Sequence, residues 1–499
     1  MTPNFLFLTT DQQRADDLGC AGNPFIQTPA LDALAAGGVR LTHAYVNNPL
    51  CMPSRATILT GRYPRSHRVW CNGVALPAEE TPFSELLNQA GYYTACVGKM
   101  HFTPYGAEAR PGYYDANKTW EECDLTGWEG PYCGFQTVRL TIGHCSPSAG
   151  HYGRWLGERY PELQAAYAED ARRGRRSPSG APQTWQSVLP PEAHHSTWVA
   201  DNALELMDSH RERPFFLWAS FPDPHHPFRP PAEYARRYEG AEVRAPARRA
   251  GELDDKPPLF RDYYEGRCIG EARHEGAGIA NPSVITAEQT RDIIRYTYGM
   301  ISLVDENIGR LLDGLEALGL AENTVVCFCS DHGELLGDHG LFCKGPFHYE
   351  GLLRLPMIWR FPGAFPGGRA EDAFAQLVDF APTTLDLAGV EAPPSMQGRS
   401  LAPLLRGETD AHREGAFVEF HSSYRPELNL KTWRDREWKL THYAGQPFGE
   451  LYDLVHDPDE FVNLWASPAH REVRDRLALR LLDELVLTED RMPPVQCHA

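Results

Sequence analysis

A cysteine, a proline and an arginine come together at the start of a predicted helix near residue 51. The segment from Cys51 to Gly61 reads Cys-x-Pro-Ser-Arg-x-x-x-x-Thr-Gly. Pro53 has a fixed φ that suits the first turn of a helix, and a helix N-terminus carries free N–H groups and a partial positive charge. Arg55 adds a planar fork of donors that can hold a tetrahedral oxyanion or a neighbouring nucleophile. The segment predicts an anion site that contains a thiol, although a buried structural cysteine would give the same short pattern.

Four further segments end in side chains suited to the same chemistry. Residues 4–10, 92–98, 214–221 and 324–329 are apolar segments that predict strands buried on both faces. One doubly wound sheet brings the carboxyl ends of such strands to a single edge. The side chains that follow these strands are Asp11 and Gln12, Lys99 and His101, His225, and Asp331 and His332. Together with Cys51, Arg55 and Lys344, they form a set suited to displacement at a tetrahedral anion.

The motifs together resemble those of the type I sulfatases, within the alkaline-phosphatase-like superfamily. The residues that carry this resemblance are the Cys51 to Gly61 motif, Gly-Lys-Met-His at 98–101, Asp-His at 331–332 and the tail from Leu451 to Leu464. The resemblance covers nearly the whole chain. It implies an α/β fold with a large, mostly parallel sheet flanked by helices, and a small C-terminal α+β subdomain with an antiparallel sheet. We expect a catalytic domain over residues 1–405 and the subdomain over 406–499. The insertions at about 103–191 and 230–282 are the irregular part.

The resemblance also implies a mechanism in which Cys51 is oxidised to formylglycine by a formylglycine-generating enzyme. The hydrated aldehyde then attacks the sulfur of a small anionic sulfate ester, next to one divalent cation. The metal ligands that it implies are Asp11, Gln12, Cys51, Asp331 and His332. The catalytic residues are Cys51, Arg55, Lys99, His101, His225 and Lys344, with His226 as the alternative to His225. The residues that contact the substrate are Asn72, Lys99, His225 and Lys344.

The charge of these ligands leaves more than one cation open. Gln12 stands where many relatives carry a second aspartate, so this site is one charge less negative. An oxygen-rich set with one imidazole favours Ca²⁺ and leaves Mn²⁺ or Mg²⁺ open.

Two other functions remain compatible with these motifs. A phosphonate monoester or phosphodiester hydrolase of the same superfamily also uses formylglycine and can carry Asp-Gln with Asp-His. Lys99 and His101 favour a sulfatase, because those relatives tend to have uncharged hydroxyl residues there. A catalytically silent, sulfatase-like binding protein would keep Cys51 as a thiol. The alcohol of the ester is not specified, and aryl, choline-like and carbohydrate sulfates all fit.

Composition narrows the class of partner. The 499 residues carry a net charge of −19, which argues against a general nucleic-acid-binding protein. The N-terminal residues show no signal peptide, and no segment approaches transmembrane length. We therefore expect a cytoplasmic enzyme without a membrane partner, with its 12 cysteines mostly reduced. Pairing among Cys71, Cys96, Cys123, Cys133 and Cys145 would require a different compartment, and a homo-oligomer is neither indicated nor excluded.

Overall fold

The computed structural model of the chain contains one large mixed sheet and one small antiparallel sheet. It describes residues 2–144, 148–173, 176–267, 279, 281–425 and 427–490. The strands are β1 (Asn4–Thr10), β2 (Val39–Tyr45), β3 (Tyr93–Gly98), β4 (Thr137–Leu140), β5 (Phe215–Ser220), β6 (Thr324–Ser330), β7 (Arg354–Leu355), β8 (Met357–Arg360), β9 (Arg369–Gln376), β10 (Ala416–His421), β11 (Asn429–Arg434), β12 (Trp438–Tyr443) and β13 (Gly449–Asp453).

Helices cover both faces of the large sheet and one side of the small one. They are α1 (Pro29–Ala36), α2 (Cys51–Thr60), α3 (Pro64–His67), α4 (Phe83–Gln89), α5 (Asn117–Glu122), α6 (Gly150–Arg159), α7 (Pro161–Arg173), α8 (His195–Ser209), α9 (Ala232–Arg237), α10 (Pro258–Tyr264), α11 (Ala287–Ala317), α12 (Glu350–Leu353), α13 (Phe380–Ala388), α14 (Ala402–Arg406) and α15 (Arg471–Leu487). Among the described residues, no helix is both long and apolar enough to cross a bilayer.

The large sheet has a parallel centre and an antiparallel edge. Its order is β4-β3-β5-β1-β6-β8-β2-β7, and β9 pairs with β2. The pairings from β4 to β6 are all parallel, whereas β8 runs antiparallel to both β6 and β2. Strands β10 to β13 form the second sheet, with antiparallel neighbours throughout. The predicted α/β class, the large flanked sheet and the C-terminal antiparallel sheet are therefore confirmed.

Strand β1 lies at the centre of the sheet, between β5 and β6, because its apolar residues face the cores on both sides of the sheet. Phe5 and Phe7 point into one core, which also contains side chains of α2, α4 and α13. Leu6 and Leu8 point into the opposite core, which contains side chains of α1, α8 and α11. This alternation follows from the two-residue period of a strand. All seven residues of β1 are buried, so its polar C-terminal end lies deep within the protein.

The four predicted strands are present, but several other elements lack a clear sequence pattern. The region 103–191 contains β4, α5, α6 and α7, and the region 230–282 contains α9 and α10, so neither is simply irregular. Strands β2, β9 and β11 were not predicted either. The nine cysteines in the described part of the chain are thiols rather than disulfides, and Cys145 lies outside the described residues.

A buried ion pair connects the large sheet to the segment that leads into the C-terminal antiparallel sheet. Arg413, which precedes β10, donates from Nε to the Asp379 carboxylate at 2.8 Å, and its Nη2 contacts the other oxygen. His412 lies 3.2 Å from the same carboxylate. Burial would raise the pKa of Asp379, but Arg413 and then His412 hold this pKa well below its usual value. The carboxylate is therefore ionised and depends on its cationic neighbours.

We expect Arg413→Ala to lower the free energy of unfolding by about 3–5 kcal/mol, because it leaves the buried Asp379 carboxylate without its main partner. Urea unfolding followed by tryptophan fluorescence measures this loss. Arg436→Ala is the matched control, because it removes an exposed arginine paired with Asp372, and it should cost less than about 1 kcal/mol. Equal losses for the two variants would contradict the prediction.

The same ion pair predicts how this difference depends on pH. A carboxylate whose pKa is lowered by folding stabilises the folded state above its unfolded pKa of about 3.9. That stabilisation is lost as the pH falls toward the folded-state pKa. The difference in stability between the wild type and Arg413→Ala should therefore be full at pH 7 and should shrink as acid protonates Asp379, first in the variant, where Arg413 no longer holds its pKa down.

Candidate active site

The carboxyl ends of four parallel strands form a buried site. Asp11 and Gln12 follow β1, Lys99 follows β3, His225 lies in the loop after β5, and Asp331 and His332 follow β6. The N-terminus of α2 brings Cys51 to the same edge of the sheet, and the loop after β6 brings Lys344. The structure thus brings together these side chains: Asp11, Gln12, Cys51, Arg55, Lys99, His225, Asp331, His332 and Lys344.

The Cys51 thiol lies at the centre of this group. Its Sγ is 2.9 Å from Lys344 Nζ, 3.2 Å from His332 Nε2 and 3.7 Å from Asp11 Oδ1. Burial and the Asp11 carboxylate oppose ionisation of the thiol, but Lys344, Lys99 and His332 together lower the pKa of Cys51. A polar or anionic atom at this position is therefore favoured.

Asp11 is surrounded by cations. Its Oδ2 contacts Lys99 Nζ and lies 3.5 Å from Arg55 Nη2. Burial would raise the pKa of Asp11, yet Lys99, Arg55, Lys344 and His332 hold this pKa well below its ordinary value. Asp11 is therefore an ionised carboxylate in a region without solvent exposure.

Arg55 connects three of the strand ends. Its Nε donates to Asp331 Oδ2 at 2.8 Å, and its Nη1 donates to the Lys99 carbonyl oxygen at 2.6 Å and to Ser220 Oγ at 2.9 Å. The side chain is fully buried. These three hydrogen bonds fix the relative positions of the ends of β3, β5 and β6. They use the planar fork of donors that only arginine offers.

The donor atoms around Cys51 suit a divalent cation. One ligand atom each from Asp11, Cys51, Asp331 and His332 lies within 4.8 Å of the others. The His332 Nδ1 lies 2.9 Å from the carbonyl oxygen of Gly333, which leaves Nε2 facing the other ligands. The amide oxygen of Gln12 is buried and has no hydrogen-bond partner among the described residues. Two carboxylates, an imidazole and an unpartnered amide oxygen fit the expected cation site.

Histidines form one wall of the site. Lys344 Nζ lies 2.9 Å from His225 Nε2, while His225 Nδ1 contacts the carbonyl oxygen of His226. The ring of His144 stacks on that of His225, with centroids 3.5 Å apart and planes at 13°. The sequence analysis does not include His144. Strand β4, which precedes it, shows only a four-residue alternation of polar and apolar residues that ends at Leu140, and this is the one signal in the sequence that could have indicated a strand leading to His144.

Two other predicted residues have clear structural partners. His101 stacks on Tyr105 with centroids 3.8 Å apart, and its backbone N–H donates to Asp115 at 2.9 Å. Asn72 accepts a hydrogen bond from the backbone N–H of Met52 at 3.1 Å, so it stabilises the first turn of α2 next to Cys51. The contacts of Asn72 are therefore with the helix that carries Cys51, and its predicted contact with substrate stays a prediction.

Comparisons with known proteins agree with this geometry. Residues 3–390 match the sulfatase family, and residues 337–486 match the family described as N-sulphoglucosamine sulphohydrolase, C-terminal. The chain is 30% identical over 506 residues to an arylsulfatase of Clostridium perfringens, covering 97% of this chain and 95% of the relative. It is 29% identical over 525 residues to an N-acetylglucosamine-6-O-sulfatase of Bacteroides thetaiotaomicron, covering 97% and 86%.

A solved structure extends the comparison beyond sulfatases. The phosphonate monoester hydrolase of Agrobacterium radiobacter superposes with a TM-score of 0.82 at 29% identity, covering 98% of this chain and 96% of that one. The sulfatase match nevertheless spans most of the chain and every strand that carries the site. The chain belongs to the sulfatase family of sulfuric ester hydrolases, within the alkaline-phosphatase-like superfamily.

Proposed function

We propose that this protein hydrolyses sulfate monoesters with a nucleophile derived from Cys51 by conversion to formylglycine, beside one divalent cation. The observation that carries the proposal is the position of the Cys51 Sγ, 2.9 Å from Lys344 and 3.2 Å from His332, within a four-residue cluster of ligand atoms. A buried structural cysteine would not need two ionisable partners, since thiols are readily buried without them. The same place suits an oxygen nucleophile that must lose a proton and approach an anion.

The cation would be held by Asp11, Gln12, Asp331 and His332, together with residue 51. When bound, it supplies Lewis-acid polarisation of the sulfate oxygens and lowers the pKa of an attacking hydroxyl. The oxygen-rich ligand set favours Ca²⁺, while the imidazole of His332 leaves Mn²⁺ or Mg²⁺ open.

Two lysines bind the anion in this proposal. Burial would lower the pKa of Lys344, but Cys51 and Asp11 raise it above its ordinary value, so the ammonium stays charged. Lys99 contacts Asp11 and lies within the same fully buried group. Charge that develops on the sulfate oxygens during attack is stabilised most in such a dry, preorganised site.

Two histidines, His225 and His101, carry out the proton transfers in this proposal. His225 Nε2 lies 2.9 Å from Lys344 Nζ, and His225, together with Lys344, protonates the departing alcohol in this proposal. Burial, and then Lys99 and Arg55, hold the pKa of His101 well below its usual value. Its Nδ1 is buried and has no hydrogen-bond partner in the described part of the chain. His101 is therefore a neutral imidazole, and it accepts the proton in the step that releases sulfate.

Hydrolysis of phosphonate monoesters is the second candidate, favoured by the superposition with the Agrobacterium radiobacter enzyme. The metal ligands suit both functions. The feature that bears on the choice is Lys99, since a cation beside the anion fits the sulfatase motif that the sequence resembles. The substrate preference of the Lys99 variant therefore tests the choice.

We expect the tryptic peptide that contains Cys51 to be lighter than the encoded peptide by about 18 Da in protein made with a formylglycine-generating enzyme. Replacement of a thiol by an aldehyde removes mass, whereas ordinary cysteine oxidation adds it. Peptide mass spectrometry measures the shift, and the peptide with Cys71 is the internal control. A fully unmodified Cys51 in active protein would refute the formylglycine proposal.

Cys51→Ala should abolish turnover of 4-nitrophenyl sulfate while the protein remains folded, as checked by its thermal unfolding. Cys96→Ala is the matched control, because it replaces another buried cysteine outside the site. Wild-type turnover by a homogeneous Cys51→Ala preparation would contradict the assignment of the nucleophile.

We expect Lys99→Ala to lower kcat/KM for 4-nitrophenyl sulfate by roughly 10- to 150-fold, the cost of a lost hydrogen bond to a charged group. The loss for an aryl phosphonate monoester should be smaller. A disturbed cation site would reduce both activities equally, so the ratio of the two losses is the measurement. Lys118→Ala, which removes an exposed lysine paired with Glu108, should change neither activity. Equal losses for Lys99→Ala would remove the preference for a sulfatase.

A further inference from the structure

The side chain of Gln12 is held by Glu334, which the sequence motifs did not include, and by His226, which they offered only as the alternative to His225. Its amide nitrogen contacts Glu334 Oε2 and lies 3.0 Å from His226 Nδ1. Gln12 also has a φ of 69°, which non-glycine residues seldom adopt. Both N–H groups of the amide therefore have partners, and the backbone is fixed in an uncommon conformation to bring them there.

The contacts of Glu334 decide which way the amide of Gln12 faces. Glu334 Oε1 accepts from the backbone N–H groups of Leu336, at 2.9 Å, and of Cys343. Every hydrogen bond to this carboxyl group among the described residues comes from an N–H donor, so both of its oxygens act as acceptors, as in an ionised carboxylate. Because such a group can only accept, the Gln12 group in contact with it must be the NH₂ rather than the oxygen.

The amide oxygen of Gln12 is consequently left on the opposite side from Glu334 and His226. This oxygen is buried, and no described residue donates to it. The backbone N–H of the same residue donates to Asp331 Oδ1 at 3.2 Å, which places Gln12 beside the other oxygen ligands. A buried amide oxygen normally has a hydrogen-bond partner, so its direction needs another explanation.

We propose that Glu334 and His226 are positioning residues, which clamp the Gln12 amide so that its oxygen faces the divalent cation. Glu334 also gives the site a third carboxylate, one side chain removed from the metal. An aspartate at position 12 would place its negative charge on the metal itself. Here the negative charge belongs to Glu334 and lies behind the neutral amide of Gln12. This inference rests on the cation site of the proposed function, and it assigns a specific task to two residues outside that site.

Glu334→Gln tests the clamp with little change in size. The variant keeps one oxygen for the N–H groups of Leu336 and Cys343, and its own NH₂ then meets the NH₂ of Gln12. This conflict between donors rotates the Gln12 amide and removes its oxygen from the cation. We expect the affinity for Mn²⁺ to fall by roughly 10- to 100-fold, the usual cost of losing a residue that orients a metal ligand.

A charge swap separates the clamp from a purely structural role. In the double variant Gln12→Glu with Glu334→Gln, residue 12 can ligate with one carboxylate oxygen and accept from the new amide with the other. Binding should return to within a few-fold of the wild type. Gln12→Glu alone places two carboxylates in contact and should bind weakly. If Glu334 only braces the backbone at Leu336 and Cys343, the swap restores nothing.

The measurement is isothermal titration of metal-stripped, full-length protein with MnCl₂, together with thermal unfolding of each metal-free variant. Asp305→Asn is the matched control, because Asp305 is also a buried carboxylate that accepts from two backbone N–H groups, those of Ala30 and Leu31. It should leave Mn²⁺ affinity unchanged. Failure of the wild type to bind one Mn²⁺ would overturn the cation site itself. Normal binding by Glu334→Gln, or no rescue by the swap, would overturn the clamp alone.

Discussion

The active site depends on the balance of charge around the buried carboxylate of Asp11. Three permanent cations, Lys99, Arg55 and Lys344, lie around Asp11 and Asp331 in a region closed to solvent. The lowered pKa of Asp11 follows from these neighbours, which outweigh its burial. Around Asp11 and Asp331 themselves three cations face two carboxylates before any metal is counted, while the Glu334 carboxylate lies farther out, against Gln12. A chain with a net charge of −19 can therefore still attract an anionic ester to this site.

The parts of the site that sequence could predict are those attached to central strands. A strand buried on both faces is an uninterrupted apolar segment, so the polar residues that follow it are conspicuous. Asp11, Lys99 and Asp331 were found in this way, and the structure brings all three to one edge of the sheet. The family resemblance added the roles of Cys51 and Lys344, which no strand pattern marks.

The rest depends on contacts between distant parts of the chain. The first half of strand β9 carries Arg369, Glu371 and Asp372, so its sequence lacks the apolar pattern of a buried strand. Its pairing with β2 joins distant parts of the chain and is visible only in the folded protein. Glu334 reaches Gln12 across 322 positions of the chain, and nothing local to either residue indicates the pair. His144 is similar, because its place beside His225 is set by the pairing of β4 with β3.

The burial of Cys51 has a consequence for the order of events during synthesis. Cys51 is 1% exposed in the folded chain, so an enzyme that modifies it must act before the site closes. Closure needs His332, which lies 281 positions later. At about 5–20 residues per second, ribosomes take roughly 15 to 60 s to cover that distance. The separation of Cys51 from β6 along the chain would thus give the maturation enzyme of the proposed function a period of access that the finished fold withdraws.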